Sequence, residues 1–475
     1  MKRLVASCAR PIARRLRAIG EAPGRPRAPD SRVGHFAGSG PDLHSHSKPS
    51  GRFGSRPARA GARCSADLVT GEWHASLMGM RRQPLFDEID RTDPTPANHQ
   101  ESSYEFMNRI AGEYWEHPRM LMQQWLDHVQ RDGDYIDLRQ RFRSRDDEQF
   151  RSAFLELYIH EILLRAGYTV TIHPMMSDTT SRPDFLAERD DKRLYVEAIV
   201  PGTNPAAKAA AQRRAVLFDT VNQLGDPNFM LWLDHLVEGS DPPAATRLRT
   251  ELRRWLSHVD PDAPWDLQSA PALHWQHNGW SATFKAIPKK PEARGRHVDS
   301  RAIGVYGHTG VTWIDDAPAI RKALTRKHHE YGDLDAPFII AVGTYIQDTD
   351  RWHSTNAMYG ASAIELNEHP DGEITTRAFR RRDGYFGGPP HWQHPQVSGV
   401  LLVNQLMPYH VHRAEVTLWR HPKSAHALPD DLGLPCLTLA LDGDRVTDLP
   451  PSMAASDFFG LPEQWPPGEA WPDHQ

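Results

Sequence analysis

Cysteine is scarce in this chain: Cys8, Cys64 and Cys436 stand far apart, and no CxxC spacing occurs. That excludes a disulfide-stapled scaffold and a thiolate zinc site, and it makes the reducing cytoplasm the expected location. Long apolar runs are missing too. Residues 337–343 form a run of strand length, too short to cross a bilayer, so no membrane association is expected. Charge of one sign is not in excess: the net charge is -5 and the pI about 6.6, so a whole-chain basic signature for nucleic acid is absent. The phosphate-cradling patterns GxxxxGK[ST] and GxGxxG are lacking, as is the GxSxG nucleophile elbow, and Gly387-Gly388-Pro389-Pro390 matches none of them. ATPase, dehydrogenase and serine-hydrolase chemistry therefore drop out. Histidines are numerous, yet the pairs His274/His277, His391/His394 and His410/His412 are joined by neither a cysteine nor an HExxH helix, which leaves a zinc centre without support.

What is there begins with length. At 475 residues the chain has room for two or three domains and a large core, and 39% hydrophobic against 25% charged residues is a globular balance. Residues 1–79 differ: rich in Arg, Pro, Gly and Ser, with Arg3, Arg10, Arg14, Arg15 and Arg17 at the start. Such a composition buries too little apolar surface to offset chain entropy, and disorder is expected. A transit peptide or a basic tail would fit. The favoured reading is a mis-assigned start, with Met78 or Met80 as the real one. The rest divides into a helical region (80–149), a core (150–260), a mixed α/β region (261–450) and an irregular tail (451–475).

Periodicity places the elements. Residues 150–166 read as a long helix with Asp147 and Glu148 at its positive end and Gly167 as its stop. Residues 169–173, 184–188 and 193–200 read as strands, the last two joined by a charged turn as a hairpin. Residues 205–224 read as a helix, 245–258 as an amphipathic helix and 317–331 as a basic helix. Further strands are expected at 229–233, 280–287, 302–306, 337–345, 397–404 and 414–420, with irregular chain after Pro422.

This order places carboxylates together. Asp184 begins one strand of the hairpin and Glu197 lies in its partner, and neighbouring strands run about 4.8 Å apart, so both acids can share one divalent cation. Oxygen-rich sites of this kind suit Mg²⁺, with the Ala198 carbonyl as a further ligand. Glu156, on the preceding helix among Phe154, Leu155, Leu157 and Tyr158, can reach the same ion, with His160 one turn on. The plainer account makes Glu156 a boundary residue paired with a nearby arginine and Glu197 a solvent-facing strand residue.

Ser181-Arg182-Pro183-Asp184-Phe185 followed by Tyr195-Val196-Glu197-Ala198 resembles the paired motifs of the PD-(D/E)xK nuclease superfamily, the restriction-endonuclease-like fold. The likeness covers roughly residues 150–224. It implies an α/β core, a mixed central sheet flanked by helices, with a large C-terminal elaboration. It further implies Mg²⁺ (or Mn²⁺) held by Glu156, Asp184 and Glu197, and hydrolysis of nucleic acid, DNA ahead of RNA, in restriction or defence. The family's lysine, two residues after the second acid, is here Ile199, which can neither polarise water nor neutralise a phosphate oxygen. Lys208, Gln212 or Arg213 on the following helix, or Lys285 on a later strand, are candidate substitutes. Of a QxxxY pair on that helix only Gln212 is present, because Val216 occupies the tyrosine position. The alternative is an inactive member of the fold that binds nucleic acid or acts as a scaffold. Phosphate contacts are expected from Lys285 and from Arg321, Lys322, Arg326 and Lys327 on the basic helix, with tryptophan platforms for unpaired bases.

Overall fold

A computed structural model describes residues 4–7, 82–176, 181–266, 268–295, 301–306, 315–327 and 330–471. The expectation for residues 1–79 thus lies outside the described residues, apart from a short strand β1 (Leu4–Ser7). Four helices open the main body: α1 (Ser103–Arg109), α2 (Glu113–Asp127), α3 (Asp132–Phe142) and α4 (Asp147–Arg165). Ser102 and Glu105 form a reciprocal capping box on α1, and the Asp146 carboxylate accepts from the Glu148 N–H to cap α4. Helix α4 is buried nearly all round, from Phe154 and Leu157 to Ile162 and Leu163, because α1 to α3 cover the side that faces away from the sheet.

Three strands follow: β2 (Thr169–Ile172), β3 (Phe185–Arg189) and β4 (Lys192–Ile199), then α5 (Pro205–Asn222), capped by Asn204 with proline in its first turn. The next segment forms β5 (Phe229–Val237), α6 (Ala245–Leu256), β6 (Ala272–His277), β7 (Trp280–Pro288) and β8 (Ile303–Tyr306). After it come α7 (Ala317–Lys327), β9 (Phe338–Thr344), α8 (Trp352–Tyr359), β10 (Ser362–Glu368) and β11 (Ile374–Arg380). The chain ends with β12 (Gly387–Gly388), β13 (His391–Trp392), β14 (Gly399–Asn404), β15 (Glu415–Arg420), β16 (Leu437–Asp442), β17 (Arg445–Leu449) and α9 (Ala455–Phe459).

The protein is mixed α/β, built on an eight-stranded mixed sheet in the order β17-β16-β15-β14-β9-β4-β3-β2. Strands β4, β9 and β14 run parallel; β2, β3 and β4 are antiparallel neighbours. The central strands are sealed on both sides, which is why Phe338–Thr344 reads as a continuous apolar run. One face, with Val196, Ala198, Ile339 and Ala341, packs on α4; the other, with Tyr195, Ile199, Ile340 and Val342, packs on α7 and α8. A second sheet, in the order β6-β7-β5-β8, has its own core with Leu217 of α5 and Leu248 and Leu252 of α6. Two expectations change. The chain after Pro422 adds β16 and β17 to the main sheet, so it is not irregular throughout. Residues 362–380 form a hairpin that alternation did not single out, and β1 pairs along it.

Candidate active site

Antiparallel pairing of β3 with β4 sets Phe185 against Val196, so the next step of the register brings Asp184 opposite Glu197. The contact is direct. The Asp184 backbone N–H donates to Glu197 Oε2 (3.3 Å), and the Asp184 Oδ2 accepts from the Ala198 N–H (2.7 Å). Asp184 thus sits at the strand's start, tied to β4 through both its backbone and its side chain.

Glu197 is sealed, at 2% exposure. Its carboxylate is not bare: Lys327 Nζ lies 2.8 Å from Oε1, and the neighbouring Tyr331 hydroxyl also favours its charged form. Burial, helped by the Asp184 charge, nevertheless pushes the Glu197 carboxyl up to about 7. On Lys327 the balance is opposite. Burial pulls its ammonium down, but the pairs with Glu197 and Glu330 outweigh that and lift it to about 12. The asymmetry follows from depth, since Lys327 is part-exposed and Glu197 is not.

On the α4 side of the sheet, Asp184 shares a cleft with Glu156, His160, His173, Asp134 and Arg141. Its free volume, about 10 Å³, is room for one water. The Glu156 carboxylate is gripped by both terminal nitrogens of Arg141, from α3, with one contact at 2.6 Å on Oε1. Burial raises the Glu156 carboxyl and the neighbouring Asp184 charge adds to this, against the pull of Arg141. His173 holds a left-handed backbone (φ 48°), a strained conformation for this residue. Its ring stands between Asp134 Oδ1 (3.6 Å) and Asp184 Oδ1 (3.7 Å), contacts that raise its pKa, Asp184 first. His160 lies against Phe185, and burial lowers it to about 4, so it is neutral.

The structure therefore gathers Glu156, Asp184 and Glu197 about one strand end, Glu156 and Asp184 in the cleft and Glu197 beneath it on the opposite face. As cation ligands they fit in part. Asp184, Glu197 and the Ala198 carbonyl have the right donor chemistry. Glu156 is committed to Arg141, and no three His, Cys, Asp or Glu side chains converge at ligand distance among the described residues.

The expected lysine substitutes lie elsewhere. Lys208 Nζ is held by Asp146 at 2.8 and 2.9 Å, near the start of α4, because α5 runs past that end of the helix. Gln212 is exposed, and Arg213 donates to the Gly239 carbonyl. Lys285 belongs to the second sheet, paired with Asp234 (3.3 Å) over the Trp232 ring. On α7, Lys322 and Arg326 face solvent, and Arg321 is part-buried with a weak contact to the Asn356 carbonyl (3.4 Å). Lys327, assigned from sequence to an outer basic stripe, instead turns inward onto Glu197.

Arg141, His173, Lys327 and Tyr331 were not read as site residues of this cluster. For Lys327 a signal existed: Ala317, Ile320, Leu324 and Lys327 share one helix face, so a lysine continues a buried stripe. Comparison with protein family models, with curated proteins and with solved structures found no match. No helix of the described residues is long and apolar enough to cross a membrane.

Proposed function

We propose that this chain hydrolyses phosphodiester bonds of nucleic acid, DNA ahead of RNA, with Mg²⁺ or Mn²⁺, on a restriction-endonuclease-like core and in the cytoplasm. The observation that supports this best is the pair of part-buried Asp184 and buried Glu197 with the Lys327 ammonium 2.8 Å from Glu197. Two acids and a cation are the elements of such chemistry, and here the cation comes from α7 in place of Ile199. Asp184, Glu197 and the Ala198 carbonyl would hold the metal, the remaining ligands being water and substrate phosphate. A bound cation would supply Lewis-acid activation of water and phosphate. The chain's own part is electrostatic. Lys327 stays protonated over the whole working range and offsets negative charge developing on phosphate oxygens. Asp184, braced by the Ala198 N–H and beside His173, keeps its carboxylate aimed at the cleft.

The test is nicking and cleavage of plasmid and single-stranded DNA with Mg²⁺ or Mn²⁺. Wild type is expected to cut, and Asp184→Ala, Glu197→Ala and Lys327→Ala to lose on the order of a hundredfold or more. Equal activity in all four would sink the reading. A second reading, a nucleic-acid-binding module without catalysis, draws on the closed Arg141–Glu156 pair. It predicts DNA binding that survives all three substitutions, with no cleavage by any protein.

A further inference from the structure

A larger crevice, about 200 Å³, opens away from the acids at the carboxyl ends of the parallel strands β4 and β9. In open α/β sheets this is where small ligands settle, beyond the strand ends and between helix N-termini. Here α4 starts on one side and α7 on the other, on opposite faces of the sheet. Three charged groups line the crevice, and one of them, Glu148, is already engaged by the Thr203 N–H (3.0 Å) and Lys208 (3.8 Å). Arg151, one turn into α4, stands with its guanidinium 4.7 Å from the centre of the Tyr345 ring and pairs with no carboxylate among the described residues. Asp316, at the start of α7, uses its backbone N–H on His353 (3.1 Å), while its carboxylate has no partner among the described residues. Val200, Ile320 and Ile346 supply an apolar wall.

An arginine placed over an aromatic ring, with its fork free, is prepared for a carboxylate. A free carboxylate across the same space is prepared for an ammonium. The volume admits neither a polymer nor a folded partner. A nucleotide would bring several negative charges towards Glu148 and Asp316, which repel them. We propose that the crevice binds a small zwitterion with an apolar body, of the size of an α-amino acid, its carboxylate on Arg151 and its ammonium on Asp316. The assignment is independent of the nuclease reading, since it uses none of the same side chains.

Calorimetric titration of the full chain decides it. The probes are L-leucine, L-valine and L-phenylalanine, with isocaproate and isoamylamine as leucine analogues lacking one charge, and adenosine monophosphate. At least one amino acid is expected to bind, the single-charge analogues at least tenfold more weakly, and the nucleotide not detectably. Arg151→Gln is expected to reduce the amino acid to the affinity of the amine, and Asp316→Asn to that of the acid. Asparagine matches the size of the aspartate, and it is the Asp315 Oδ1 that accepts from the Ala317 N–H at the start of α7 (3.1 Å), so that variant tests binding without unfolding the helix. No heat from any of the three amino acids at about 10 mM, unchanged affinity in Asp316→Asn, or tighter binding of the nucleotide would overturn the proposal.

Discussion

Glu197 is an acid whose ionisation the fold opposes. Its carboxyl is raised by burial and by Asp184 to about 7, well above the usual carboxylate range. Between those limits the folded protein keeps a proton that the unfolded chain releases, so stability falls as pH rises through that window. Glutamine has the same shape and no charge to desolvate. In chelator-treated protein, Glu197→Gln is therefore expected to change melting little at pH 5 and to raise it at pH 8, by up to a few kcal/mol. A gain that shrinks between pH 5 and pH 8 would contradict this. Glu156 is raised by burial as well, but it has a guanidinium partner. Its charge is compensated by Arg141 in a part-buried fork, so Arg141→Met strands a buried carboxylate and should cost on the order of 3–5 kcal/mol in urea unfolding. Adding Glu156→Met should recover most of that loss, because the cost lies in the orphaned charge.

Helix α7 carries two kinds of basic residue on two faces. Lys322 and Arg326 face water, while Lys327 follows Ala317, Ile320 and Leu324 into the space against the sheet. Replacing Lys322 and Arg326 with alanine should therefore weaken DNA binding alike on all sequences and lower the salt slope by about one for each phosphate no longer neutralised. Lys327→Ala should abolish cleavage while leaving that slope nearly unchanged. A slope that falls only with Lys327→Ala would reverse the assignment of the two faces. The same helix shows what the sequence can reveal. The order from α4 through β4 to α5 was legible, since alternation and caps are local signals: Val170 and Ile172, then Leu194, Val196 and Ala198, mark their faces unaided. The acids were legible with them. The partner of Glu197 was not, because Lys327 reaches it only after the whole second sheet has intervened, and only the parallel pairing of β4 with β9 brings α7 over that face. The Arg141 fork on Glu156 depends likewise on how α3 folds back on α4.

Among the described residues three hydrophobic cores form, and they are not equally connected. The cores on the two faces of the main sheet share its strands, so the buried apolar residues of β4 and β9 serve one or the other. The third lies between the β6-β7-β5-β8 sheet and helices α5 and α6, and contains no residue of the main sheet. This explains why strands at 229–233 and 280–287 were visible singly while their assembly was not: no local pattern tells a strand which sheet it will join. It also has an energetic consequence. Phe284, fully buried, belongs among the described residues to the third core. Its replacement by alanine should cost about 3–5 kcal/mol there, from lost transfer energy and the cavity left behind. Because stability is distributed over cooperative subunits of structure, that loss should open the second sheet before the first. Hydrogen exchange on Phe284→Ala is expected to accelerate at the amides of β5, β6 and β7, with β4, β9 and β14 retaining wild-type protection. Uniform loss across both sheets would mean that α5 couples them into a single folding unit, and that the acid cluster at Asp184 and Glu197 depends on the second sheet for its stability.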